Sequence, residues 1–111
     1  MDFAFWGLSK DPMAEDDWKE WTERQKTCAD EVGLPITQGH AHFYGSEHCE
    51  LLSSEEHELR AKAIMRDIEA AGMCEIPWLV LHPSSSYDSA GYSYRMSLKN
   101  ETEKFKRIGE L

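Results

Sequence analysis

The feature that most restricts the fold is an order of elements that the chain runs through twice. A segment with helical periodicity closes on glycine, a short apolar run follows, and the run gives out at histidine. The first passage ends in "LPITQGHAHFYG" and the second in "IPWLVLHPSSSY", which puts His40 and His82 at matching points 42 residues apart. Helices alternating with short apolar runs specify parallel strands, because parallel neighbours can be joined only by a long crossover, usually helical. The expected class is therefore α/β. In such folds ligands gather beyond the carboxyl ends of the strands, where these imidazoles stand.

Local signals set the boundaries. Asp17 with Glu20 forms a cap pair, and Trp18, Trp21, Cys28, Ala29 and Val32 recur at helical spacing, with Gly33 as the stop. Leu34 to Gln38 is an extended segment leading to Gly39-His40, and Pro35 is tolerated at its start because that position need not donate to a ladder. Ser53 and Glu56 make a capping box for a second helix, whose stripe is Leu59, Ala63, Ile64, Ile68 and Ala71 and whose stop is Gly72. Ile76 to Leu81 is apolar throughout, the pattern of a strand covered on both faces. A third helix is expected near Asn100, with Glu103 in its box position and Phe105, Ile108 and Leu111 on one face. Residues 34–40 and 76–82 should pair as adjacent parallel strands, with helices 17–32 and 54–71 on one side.

Length and charge narrow the function. A chain of 111 residues has room for one domain. A net charge of −9 repels phosphate backbones and anionic lipid, so neither nucleic acid nor membrane is the expected partner. No apolar stretch approaches the roughly 18 residues that a membrane span needs, and the N-terminus lacks the long apolar core of a signal peptide. The three cysteines, Cys28, Cys49 and Cys74, show no CxxC spacing, which suggests reduced thiols and a cytoplasmic setting, with Cys28 as a core residue.

The histidines admit three readings. A histidine at a strand end commonly packs or anchors a loop. Neutral imidazole is also a common metal ligand, but a catalytic ion takes about three protein ligands, and His40 with His82 supplies two. The serines Ser84 to Ser86 beside His82 lack the G-x-S-x-G elbow of a nucleophile, which makes nucleophilic catalysis the weakest reading. His82 is fixed on both sides by Leu81 and Pro83, His42 is either a face-mate of His40 or a loop residue, and His48 and His57 read as surface groups.

"DWKEWTERQKTCADEVGLPITQGHAHFYG" resembles the helix–strand–"Q.HAP(F/Y)" segment of the xylose isomerase-like (β/α)8 barrels. "RAKAIMRDIEAAGMCEIPWLVLHPSSSY" resembles the next unit, with a strand that ends in His-Pro, and "NETEKFKRIGEL" is similar to the helix after it. The resemblance covers roughly residues 16–111. It implies a partial TIM (β/α)8 barrel of about two to three βα units, since a closed barrel takes about 250 residues. Residues 1–111 would be one segment of such a barrel, with later strands beyond Leu111 and the first strand absent or replaced by "DFAFWGLS". The implied function is that of a sugar or sugar-phosphate isomerase or epimerase, which moves a proton beside a carbonyl with help from a divalent metal (Mn, Mg, Co or Zn). In that branch His40 and His82 face substrate, Trp6 or Phe43 forms an apolar wall or plain core, and the acid–base carboxylates lie outside this chain. In the alternative branch, the zinc-dependent AP endonucleases of DNA repair, the same two histidines are metal ligands. A non-catalytic fragment or interaction module is the third possibility. The chain alone would bind metal weakly or not at all, and it would self-associate through exposed sheet edges. The family's proline after His-Ala is His42 here, and its glycine after His-Pro is Ser84.

Overall fold

A computed structural model describes residues 1–4, 11–44, 51–83 and 92–110. Its order is β1 (Asp2–Ala4), a 3₁₀ turn (Pro12–Ala14), α1 (Trp18–Glu31), β2 (Gln38–His40), α2 (Ser54–Met73), β3 (Leu79–Val80) and α3 (Tyr94–Glu110). The chain divides into two compact units. The first comprises residues 1–42 and 66–81, and the second residues 43–65 and 82–111.

The first unit holds the sheet. Its three strands are all parallel and stand in the order β1-β2-β3, with Phe3 opposite Gly39 and Gly39 opposite Leu79. The expected parallel neighbours are present, and of the two alternatives for the first strand, absent or replaced by "DFAFWGLS", a strand from that stretch is found: Asp2–Ala4 pairs along β2. Ladder bonding is shorter than the apolar runs that announced it. Leu34 is exposed and precedes the ladder, which begins at Gln38.

Phe3 and Leu79 pack on a cluster built from Trp18 and Ala29 of α1, Ala70 and Ala71 of α2, and the flanking Met13, Ile36, Cys74 and Ile76. This places both helices against one face of the sheet, as the sequence indicates. Strand residues alternate faces, so Asp2, Gln38, His40 and Val80 lie on the other. Trp78, whose carbonyl accepts from the Gly39 N–H at 2.8 Å, precedes Leu79 and is 72 % exposed. The run from Ile76 is therefore not covered on both faces, and its apolar character reflects one packed face and one tryptophan left open.

Helix ends follow backbone chemistry more closely than the glycine rule suggests. At α1, Leu34 N–H donates to Ala29 O and Gly33 N–H to Asp30 O, the paired bonds of a C-terminal cap that need a left-handed residue between them. Gly33 supplies it at φ +66°. At α2 the same pair recurs three residues beyond Gly72, from Ile76 to Ala71 and from Glu75 to Gly72. There the left-handed position is Glu75, at φ +55°. Gly72 is thus interior to the last turn. Asp17 begins α1 without a side-chain cap bond, whereas Ser53 and Glu56 form the reciprocal capping box as expected, at 3.0 and 3.2 Å.

Burial corrects several assignments. Cys28 is exposed and Cys74 is the buried thiol, raised by desolvation above the usual cysteine range. On α2 the inward stripe is His57, Ala61, Ile64, Asp67, Ala70 and Ala71, while Leu59 is 61 % exposed and His57 is buried. The stripe is turned by about one residue from the one inferred, because Asp67 occupies an inward position that apolarity alone assigned to Ile68.

In the second unit α3 starts at Tyr94, six residues before the expected Asn100. Its inward positions are Ser97, Asn100 and Lys104, and Phe105 is exposed. Buried polar groups must be satisfied, and these are. Asn100 Oδ1 accepts from the Leu52 N–H at 3.2 Å, and the Lys104 ammonium pairs with Glu101 at 2.8 Å. Glu103 bonds Arg107 at 2.7 Å instead of capping the helix. Trp6, His48, Cys49, Ser84 to Ser86 and Leu111 lie outside the described residues.

Candidate functional site

β2 delivers two histidines to different surroundings. His40 is its last residue and stands on the face away from the helices, with Nε2 at 3.2 Å from Gln38 Nε2 and 3.2 Å from Asp2 Oδ2. Asp2 reaches it because β1 runs parallel in register, Asp2 beside Gln38 and Ala4 beside His40. The result is a small polar surface of one carboxylate, one amide and one imidazole beside an exposed indole.

His42 turns the other way. Ala41 between them is fully buried, and its N–H donates to Val80 O at 3.0 Å, the last ladder bond before the chain leaves the sheet. Beyond it, the His42 backbone N–H donates to Asp67 Oδ2 at 2.7 Å, and Nδ1 lies 2.8 Å from the same oxygen. The other ring nitrogen, Nε2, lies 3.0 Å from Asp11 Oδ2. Asp11 in turn accepts the Met13 N–H at 2.9 Å and so caps the 3₁₀ turn. One imidazole therefore ties the strand exit to α2 and to the segment before α1.

Carboxylates on both sides select the doubly protonated ring, since only then do both nitrogens donate. Burial works against that charge, but the hydrogen bonds and charges of Asp67, and then of Asp11, outweigh it and leave the His42 pKa above the ordinary histidine value. Asp67 is fully buried, and desolvation pushes its carboxyl above the usual aspartate range despite the bonds from His42. The cluster is a charged clamp, with both ring nitrogens committed. It is built to hold backbone in place.

The sequence did carry a signal for this clamp. Asp67 falls three residues after Ile64 and four before Ala71, inside an inward helical stripe, and a buried carboxylate requires a partner.

His82 belongs to the second unit. Its ring meets Phe43 edge to face at 5.7 Å, and its carbonyl accepts from Lys104 Nζ at 3.1 Å. Phe43 packs on that ring and is 39 % exposed. Tyr44 beside it stacks on Arg60, 4.8 Å from ring centre to guanidinium carbon.

Among the described residues no three of histidine, cysteine, aspartate or glutamate are placed to hold a metal ion. Around His40 the donor set is one imidazole and one carboxylate, short of the three protein ligands a catalytic ion takes. Both ring nitrogens of His42 are engaged by Asp67 and Asp11. The described residues do not fit a resident ion, and no chemical step is assigned to one.

No helix among the described residues is long and apolar enough to cross a membrane. Comparison with protein-family models, with curated proteins and with solved structures gives no match for this chain.

Proposed function

We propose that this chain contributes consecutive βα units to a xylose isomerase-like (β/α)8 barrel that acts on a sugar or sugar phosphate, moving a proton beside its carbonyl. The observation that carries this reading is the strand order. Parallel strands that neighbour one another in the order of the sequence are what a barrel lays down, an order shared by the first three strands of a 3-2-1-4-5-6 doubly wound sheet. The described strands run β1-β2-β3 without reversal.

The open face adds chemical support. Asp2 accepts hydrogen bonds, Gln38 both donates and accepts, and His40 does either according to its tautomer. Trp78 offers an apolar plate on the same face. A hydroxyl-rich ring with C–H edges suits such a surface, and His40 is the contact we assign to it, with His82 carried over as the second. His42 takes no part in binding and holds the backbone that presents His40. The acid and base of the proton transfer are not assigned to residues of this chain.

Calorimetric titration with a ketose phosphate tests the reading, with inorganic phosphate and an abasic-site duplex as competitors. The expected result is binding of the sugar phosphate that His40→Ala abolishes, with no heat from the duplex. Binding of the duplex in preference to the sugar would favour the endonuclease branch, and no sugar binding at all would remove the isomerase reading.

A further inference from the structure

The outward side of α3 is unlike the rest of this acidic chain. Tyr94, Leu98 and Phe105 are all exposed and recur at intervals that place them in one stripe. Each is followed directly by an exposed cation, Arg95, Lys99 and Lys106, so a basic stripe runs beside the apolar one. The helix turns its polar residues Ser97, Asn100 and Lys104 inward and leaves this amphipathic face to solvent. Large apolar side chains lined up on an exposed helix face mark an interaction surface.

A complementary surface exists on α1. Glu20, Glu23 and Glu31 are exposed along one side of that helix. Glu20 and Glu31 have the same sequence separation as Arg95 and Lys106, about 16 Å along a helix axis. Laid antiparallel, Arg95 meets Glu31, Lys106 meets Glu20, and Lys99 falls by Thr27, within a turn of Glu23. Laid parallel, Lys99 meets Arg24. The antiparallel arrangement also brings Tyr94 and Leu98 to the end of α1 where Val32 and Leu34 stand exposed. Glu20 bonds Arg24 at 2.8 Å, but an exposed pair of this kind is weak and exchanges readily.

We propose that α3 of one copy docks antiparallel on α1 of a second copy, so that chains join through this basic–apolar stripe and its acidic counterpart. Charge complementarity chooses a second copy over an anionic membrane, because the chain's net charge of −9 repels the membrane as a whole while α1 offers a matched, localised acidic row. Helices carry this contact better than the sheet edges do. Among the described residues β1 has three ladder residues and β3 two, too few to template a stable added strand.

Sedimentation velocity across a concentration series tests the proposal with a charge swap. One variant carries Arg95→Glu with Lys106→Glu, and the other Glu20→Lys with Glu31→Lys. All four positions are exposed, and unchanged far-ultraviolet circular dichroism confirms folding. Wild type should associate, each variant alone should associate at least about tenfold more weakly, and an equimolar mixture of the two should recover the wild-type behaviour. A wild type that stays monomeric, variants that associate as wild type does, or a mixture that fails to recover would overturn it. So would a monomeric wild type that sediments with phosphatidylserine vesicles, which would make α3 a lipid-binding face.

Discussion

His42 lies between two carboxylates, Asp67 at 2.8 Å and Asp11 at 3.0 Å. Removing its ring leaves the buried Asp67 carboxylate with only the backbone N–H of residue 42, and breaking a buried pair from one side costs about 3 kcal/mol or more. We expect His42→Ala to lower the unfolding free energy by about that amount in denaturant titration, and Asp67→Asn by about 2 kcal/mol, since the amide still accepts the backbone N–H. The pH dependence has a definite sign. With its folded pKa above the unfolded value near 6.5, His42 contributes stability that is complete below that value and is lost as pH rises through the folded pKa. Asp67 acts in the same direction at lower pH, because a carboxyl raised by burial makes folding less favourable as pH climbs from its unfolded pKa near 3.9 through the raised one. The denaturation midpoint should therefore fall as pH rises above about 6.5 through the raised folded pKa, and the fall should shrink in His42→Gln. A flat profile in wild type would show that the imidazole is not held charged.

The two glycines at helix ends separate what is legible in a sequence from what is not. Gly33 stands where the cap needs a left-handed residue, as its position after a periodic run suggests, and Gly33→Ala should destabilise by about 1 kcal/mol. Gly72 gives the same signal and has a different role. It lies inside α2, and a methyl group there would meet nothing within 4 Å. Gly72→Ala should thus stabilise by about 0.5–1 kcal/mol, and thermal melts of the two variants should shift in opposite directions. Glycine reports where a chain can turn left-handed. The hydrogen bonds decide whether it does so, and in α2 they place the turn at Glu75, which also bonds Lys26 at 2.6 Å. Strands show a similar division. The apolar runs announced parallel neighbours correctly, but a run records burial from all sources, so it did not mark Trp78 as open or the ladder as two to three residues long. For α3, apolar periodicity pointed to Phe105 as inward. The helix instead buries Asn100 and Lys104, whose partners are a loop N–H and the carbonyl of His82 that no local pattern reveals.

At the scale of the molecule, a parallel sheet in sequential order has one face sealed by α1 and α2 and the other carrying His40 with Asp2, Gln38 and Trp78. The "HAH" that ends the first apolar run thus does two jobs. His40 stands on the face away from the helices beside Asp2 and Gln38, where we propose that it meets substrate, and His42 anchors the exit of the strand. That division is the central claim, and histidine-selective NMR during titration with a ketose phosphate tests it most directly. The imidazole resonances of His40 should shift in proportion to bound sugar while those of His42 stay fixed in the protonated range. Shifts confined to His42, or none at either ring, would contradict it.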